Sequence, residues 1–252
     1  MLLVVLPSVG GILGLMVLWE LWVRLGRVPV YLVPAPSVIA IRLSEIAPQL
    51  AFETMFTLAA AGAGLAIGMS VGISGAIVMA HWRVLEKSLF PLAVLLKLTP
   101  VVAIVPLLVV WLGYNLWPKI VIAAMITFFP VLVNCITGFR ATDPLAVEFF
   151  ESVGASPSQI FRLLRWPTAL PYLMSALKIT INLSLIGAIV GEFFGADHGI
   201  GKVINQSNFK LDMRTMFAAI VFLAMVGVAL TLLSNVLERR LLFWHESVRG
   251  AS

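Results

Sequence analysis

The 252-residue sequence predicts an all-α integral membrane protein with six transmembrane helices, and three observations carry that prediction. Hydrophobic residues make up 61% of the chain and charged residues 12%, against about 45–50% and about 25% in soluble domains. The mean hydropathy is +1.05. Apolar runs of membrane length recur between short polar segments, and at about 20 apolar residues per crossing the chain has room for about five to seven spans. So little charge cannot clothe a water-soluble surface, which argues against a soluble enzyme, a nucleic-acid binder or a disordered chain. The spans are read as helices because a helix satisfies its own backbone hydrogen bonds in lipid.

Taken in order, span one runs from Leu2 to Trp22. It starts without a charge and is longer than the apolar core of a cleavable signal peptide, so it reads as a retained helix. Pro34 and Pro36 mark a turn. Ser37 is placed to cap a short amphipathic helix that ends near Pro48 and lies along the membrane surface. Span two, from about Phe52 to Ala80, carries Gly64, Gly68 and Gly72 at intervals of four, a spacing that lets another helix approach closely. His81 to Ser88 reads as a polar turn. Span three, about Leu89 to Leu112, holds Pro100 and Pro106 and is expected to kink.

Span four, about Lys119 to Phe139, contains Pro130. The stretch from Arg140 to Arg165 is too polar to span and reads as one or two short helices. Asp143 and Pro144 open the first, Gly154 ends it, and Ser156 and Pro157 open the second. Span five covers about Ala169 to Gly195, a polar loop follows to Arg214, and span six runs from about Thr215 to Leu237. Orientation stays open from charge alone. With the first residue inside, the inner segments hold eight Lys and Arg and the outer ones seven, a difference the positive-inside rule cannot use.

Few groups carry chemistry. The 17 Lys and Arg are scattered rather than gathered on one face, which removes a nucleic-acid footprint. The one cysteine, Cys135, sits in an apolar run, and with only 3 His a dedicated zinc site is not expected. Ionisable residues inside spans are costly and often functional. At about 100° per residue, Asn182 and Glu192 fall about 40° to either side of Lys178, so the three share one stripe of span five. Gly187, Gly191 and Gly195 take the opposite face. The stripe either lines a translocation path or is structural, with Lys178 reaching to the interface and Glu192 paired. Lys97 and Thr99 in span three are further pathway candidates, Lys97 for attracting an anion or pairing with an acid. Asn134 either lines the path or bridges helices.

The stretch 140–168 carries the strongest motif. Glu148, Gly154 and Pro167 are separated by five and twelve residues, with Leu164 and Trp166 just before the proline. This resembles the EAA loop of ABC importer permeases, in which Glu-Ala-Ala, three residues, Gly and nine residues precede Ile-x-Leu-Pro. Phe149 and Phe150 stand where that family usually has two alanines. Leu32 to Ser37, Lys97 to Pro100 with Trp111 to Gly113, Gly187 to Phe193 with Gly199 and Gly201, and Glu238 to Leu242 also resemble, in order, segments of the sulfonate, taurine and nitrate permeases.

That resemblance implies a type I ABC importer permease fold occupying residues 1–252 as one transmembrane domain, with 140–168 as a cytoplasmic coupling loop. It implies a multi-pass protein of the bacterial inner membrane with both termini cytoplasmic. The expected partners are a second copy of the chain as a homodimer, two ABC ATPase subunits and an extracytoplasmic substrate-binding protein. Glu148, Phe149, Phe150, Glu151, Gly154, Leu164 and Pro167 are the expected ATPase-coupling residues. ATP and Mg²⁺ belong to the partner ATPases, and no cofactor or catalytic residue is expected on this chain. Residues 196–202 come near a phosphate-binding loop, but Val203 replaces the required Ser or Thr and no strand precedes it. The family's cargoes include alkanesulfonates, taurine and nitrate-type anions, with a branch for pyrimidine or riboflavin-type vitamin precursors. Glu192 within its Gly-Glu-Phe context points to the latter branch, whereas Lys97 favours an anion. The competing reading is a secondary transporter or channel that needs no ATPase.

Overall fold

A computed structural model describes residues 2–241, with side chains from Gly10 onward. Leu242 and Arg249, which entered the tail motif and the charge count, lie outside the described residues, as do both chain ends. Among the described residues ten α-helices follow one another: α1 (Leu2–Leu25), α2 (Pro36–His81), α3 (Arg83–Leu98), α4 (Val101–Leu112), α5 (Trp117–Arg140), α6 (Pro144–Ser152), α7 (Pro157–Ile160), α8 (Trp166–Glu192), α9 (Ile200–Phe209) and α10 (Met213–Leu241). A π-helical turn, Phe161–Arg165, joins α7 to α8. Among the described residues, four continuous helices are long and apolar enough to cross a membrane, and the α3–α4 pair, bent by 91°, makes a fifth candidate. The 24-residue α1 occupies the position of the first predicted span.

The chain divides into two compact units. The first comprises residues 1–56 and 198–226. In it, the Glu20 carboxylate accepts the Ser37 N–H at 3.0 Å and the Ser37 hydroxyl at 2.7 Å. Ser37 was expected to cap α2 with its own oxygen. Instead the capping carboxylate comes from α1, where a negative charge also opposes the positive end of the helix dipole. Arg42 Nε donates to Thr215 Oγ1 at 2.9 Å, tying α2 to α10, and Trp19 lies 6.0 Å from Phe217, ring to ring.

The predicted short surface helix is not separate. Pro48 lies inside α2, which runs on to His81. A proline removes one helix hydrogen bond, and the many turns on either side keep the helix intact. The polar turn expected at 81–88 shrinks to the extended residue Trp82, because α3 begins at Arg83. The polar loop expected at 196–214 likewise contains a ten-residue helix, α9.

The second unit comprises residues 57–197 and 227–252. Its axis is α5, and glycines decide what lies against it. A Cβ on Gly64 would stand 2.7 Å from Ile120 O, one on Gly68 2.8 Å from Ala124 O, and one on Gly72 3.0 Å from Phe128 O. The matching positions rise together, so α2 and α5 run parallel in backbone contact. On α8, Gly187 faces Ala123 Cα at 2.8 Å and Gly191 faces Lys119 Cα at 2.9 Å, while Gly138 of α5 faces Ala169 Cα at 2.9 Å. These positions fall as the others rise, so α8 is antiparallel to α5. The Gly64, Gly68 and Gly72 stripe and the Gly187 and Gly191 part of the second are thus helix-packing surfaces, whereas Gly195, expected on the same face of span five, lies beyond the end of α8 in a turn at φ +114°.

Parallel α2 and α5 require the chain between them to return across the bundle. It does so through α3 and α4. Glu86 at the start of α3 pairs with Arg140 at the end of α5, whereas Val105, Leu108 and Val109 of α4 pack with Ile122 near the start of α5. The 18 residues from Ile122 to Arg140 measure about 27 Å at 1.5 Å per residue. The α3–α4 pair is therefore one broken span and not a re-entrant loop. The predicted kink at Pro100 is a full break: Thr99 takes ψ 128° and Pro100 ψ 101°, the extended backbone that a proline imposes on the residue before it. Pro106 stays inside α4 without breaking it.

Candidate functional site

The most unusual element is α6, because none of its nine residues is buried. Local chemistry forms it. Asp143 Oδ1 accepts the Leu145 N–H at 2.9 Å, and Pro144 occupies the first helical position, where its missing N–H costs nothing. At the other end Gly154 takes φ +80°. Its N–H donates to Glu151 O at 3.0 Å, and the Ala155 N–H donates to Phe150 O at 3.0 Å. That pair of bonds is a Schellman cap, which needs the left-handed residue that glycine supplies. Ser156 then opens α7 with a capping box. Its N–H donates to Gln159 Oε1 at 2.7 Å and its hydroxyl accepts the Gln159 N–H at 3.4 Å.

Helix α6 has two faces. Pro144, Val147 and Glu148 line a cleft of about 540 Å³ together with Glu86, Arg140 and Arg165. Leu145, Phe149 and Val153 follow at steps of four on the other side and are 72%, 63% and 65% exposed. Of this apolar stripe only Phe149 is among the expected coupling residues; the i, i+4 spacing of Leu145 and Phe149 within a polar stretch is the sequence signal for the rest. Phe150 is half-buried beside Phe149, their rings 6.2 Å apart, and Glu148 and Glu151 are exposed.

The loop is wired directly into the spans. The second short helix does not stop before span five, because residues 157–192 form one continuous helix. Pro167 is absorbed by the π turn, in which the Trp166 N–H reaches back to Phe161 O. Leu164 is half-buried within that turn and Pro167 is exposed at the start of α8. Phe139 lies 5.4 Å from Phe161 and 6.1 Å from Trp166, and these two are 6.3 Å from each other. This aromatic trio fastens the α7–α8 junction to the end of α5. A displacement of α6 and α7 would reach α8 through helix and not through slack loop.

The predicted pathway residues are not gathered in one place. Glu192 is 1% exposed and accepts the Thr57 hydroxyl at 2.8 Å, joining α8 to α2. Asn182 Nδ2 donates to Thr231 Oγ1 at 2.9 Å, and Lys178 pairs with Glu238, so both tie α8 to α10. Lys97 is exposed on α3 with its ammonium 4.9 Å from the centre of the Phe129 ring. Thr99, exposed at the α3–α4 break, donates its hydroxyl to Leu95 O at 2.9 Å. Asn134 donates to Pro130 O, within its own helix. Lys119, placed by the sequence at the edge of a loop, is buried. No group of three His, Cys, Asp or Glu suited to a metal occurs among the described residues.

In the first unit, Glu53 Oε2 accepts the Gly199 N–H at 2.7 Å and lies 3.4 Å from His198 Nδ1. Phe56 stacks on the His198 ring at 4.4 Å. At the α10 N-terminus Asp212 Oδ1 accepts the Thr215 N–H at 3.2 Å. Burial is the largest single influence on the Asp212 carboxyl and pushes it up. The hydrogen bonds from Thr215 and the charges of Arg42 and Arg214 together outweigh burial and leave it below its ordinary value.

Residues 64–243 match the family described as binding-protein-dependent transport system inner membrane component. The chain is 34% identical over 235 residues to the formylaminopyrimidine transport permease protein ThiX of Halalkalibacterium halodurans, covering 93% of this chain and 94% of that one. It is 33% identical over 235 residues to the riboflavin transport system permease protein RibX of Chloroflexus aurantiacus, covering 92% and 88%. In fold it is similar to a chain of the inward-facing MetNI methionine ABC transporter, with a TM-score of 0.68 at 19% identity, covering 76% of this chain and 95% of that one.

Proposed function

Because the chain belongs to the family of binding-protein-dependent transport system inner membrane components, we propose that it carries a small nitrogen heterocycle of the pyrimidine or flavin-precursor type inward by alternating access. That it is a membrane-spanning permease subunit of an ABC importer, with ATP hydrolysis on a separate subunit, follows from the family itself. The substrate class is supported by relatives at 34% and 33% identity whose names specify formylaminopyrimidine and riboflavin transport.

The observation that carries the mechanism is α6, a capped helix with an exposed apolar stripe and no buried residue. Exposed apolar stripes of this kind mark docking surfaces. In this reading Leu145, Phe149 and Val153 seat in a groove of the ATPase subunit, flanked by Glu148 and Glu151. Two ATPases and two copies of this chain make the importer, and a binding protein delivers cargo from outside. Closure of the ATPases on ATP and Mg²⁺ drives α6, and the continuous 157–192 helix turns that push into a rigid-body rotation of α8. Gly154 sets the exit from α6, Phe150 anchors it, and Leu164 and Pro167 shape the junction. Residues 140–168 form the cytoplasmic loop of this single permease domain in the bacterial inner membrane.

Of the pathway candidates, Lys97 and Thr99 at the α3–α4 break are retained as groups that meet the solute. Asn182 and Glu192 act as positioning groups that hold α8 to α10 and α2.

The test is uptake by proteoliposomes containing the purified chain, its ATPase and its binding protein, with the molecule held by the binding protein identified by mass spectrometry. ATP-dependent uptake of a pyrimidine or flavin-type heterocycle is the expected result. Uptake of taurine or a sulfonate instead would overturn the substrate assignment. Uptake that survives omission of the ATPase would overturn the import mechanism in favour of a secondary transporter.

A further inference from the structure

The cleft under α6 holds more positive charge than its own acids neutralise. Arg83, Arg140 and Arg165 line it with Glu86 and Glu148. A second cavity of about 540 Å³ shares Arg83, Glu86 and Arg140 and adds Lys87, Phe90 and Pro91. Across the two, four cations face two carboxylates. Arg140 is engaged with Glu86. Arg83, Lys87 and Arg165 enter none of the ion pairs found among the described residues. Unpaired like charges gathered in a concavity repel one another and draw a counter-anion. Guanidinium forks match phosphate oxygens two by two.

The surroundings say what kind of phosphate fits. The cleft lies at one end of a bundle of membrane-spanning helices. Trp82, at the break between α2 and α3, is exposed, and tryptophan favours the level of lipid headgroups. The second cavity is walled by Phe90 and Pro91, and the same face of α3 continues beyond them with Leu95 and Leu98 exposed. A soluble anion gains nothing from that apolar track, whereas an acyl chain does.

We propose that this pair of cavities binds an anionic phospholipid, with its phosphate held by Arg83, Lys87 and Arg165 and an acyl chain lying along α3. A lipid in this place would sit between the end of α5 and α6, so it would brace the loop that couples to the ATPase. The site needs only that the helices span a membrane. It stands or falls independently of the import reading and of the substrate.

The full chain in mild detergent is titrated with phosphatidylglycerol and, separately, with phosphatidylcholine, and bound lipids are counted by native mass spectrometry. The wild type is expected to retain phosphatidylglycerol preferentially. Arg83→Gln and Arg165→Gln are each expected to weaken that retention about fivefold, and together about thirtyfold, at about 1 kcal/mol per basic residue. Phosphatidylcholine binding, unchanged in all variants, reports that they fold, and Lys87→Gln gives an independent third variant. Equal retention of the two lipids, or phosphatidylglycerol retention unaffected by the double substitution, would overturn the proposal. So would displacement of the lipid by millimolar inorganic phosphate, which would assign the site to a free anion. Loss of the lipid when the ATPase binds would assign the cleft to that protein.

Discussion

Replacing Gly154 with alanine separates backbone strain from steric crowding. Gly154 holds φ +80°, and a Cβ added there meets nothing within 4 Å. The cost is therefore conformational alone, about 1–2 kcal/mol for holding a non-glycine residue in the left-handed region. That cost is set against the cap bonds that the conformation makes possible, from the Gly154 N–H to Glu151 O and from the Ala155 N–H to Phe150 O, each 3.0 Å. A loss of 1–2 kcal/mol raises the frayed population of the α6 C-terminus about five- to thirtyfold. Hydrogen–deuterium exchange at the amides of residues 154 and 155 reads this directly and is expected to accelerate by that factor. Gly154→Asn, which tolerates the left-handed region better, is expected to fall between wild type and alanine. In the assembled importer the alanine variant is expected to move less solute per ATP hydrolysed, because a frayed α6 transmits its push less completely. Exchange at the wild-type rate in Gly154→Ala would refute the argument, since no steric compensation is available to explain it.

Gly68→Ala and Gly62→Ala are expected to have opposite signs in thermal unfolding followed in detergent. A Cβ at 68 lands 2.8 Å from Ala124 O, with the Thr127 hydroxyl nearer still, while at 62 it meets nothing within 4 Å. The first costs about 1–3 kcal/mol by overpacking against backbone, and the second stabilises by about 0.5–1 kcal/mol through helix propensity. Lys178→Met and Glu238→Gln are each expected to destabilise, and the exchange of both charges to recover part of the loss, with a coupling of about 1 kcal/mol in a double-mutant cycle. Stability is expected to fall on acidification through Asp212. Its folded value is depressed, so its contribution is complete above the ordinary aspartate range and is lost as pH falls through the lower folded value. Asp212→Asn is expected to flatten that part of the melting-temperature profile between about pH 5 and 3.

Much of this protein was written locally. Composition identified the solvent, and apolar runs located the spans, because burial in lipid demands length and hydrophobicity within one segment. Asp143, Pro144, Gly154, Ser156 and Pro157 predicted the ends of α6 and the start of α7, because a cap is chemistry between residues a few positions apart. Glycine spacing correctly marked packing faces on α2 and α8.

What sequence could not supply was the partner. The glycines of α2 and α8 close on α5, yet nothing in their spacing names it. Glu20 caps Ser37 from 17 residues away, and Asn182 meets Thr231 from 49 residues away. Pro48 read as a stop and proved to be passed over, because a long helix outlasts one missing bond, and at Pro167 a π turn absorbs another. Among the described residues only Pro100 breaks its span, and the pairing of α3 and α4 with opposite ends of α5 makes that break a crossing. Segment identity, caps and the coupling motif are decided by neighbours along the chain. Which faces meet, and in which direction, is decided by neighbours in space, where close backbone approach and buried polar pairs select one arrangement among many that the same local signals allow.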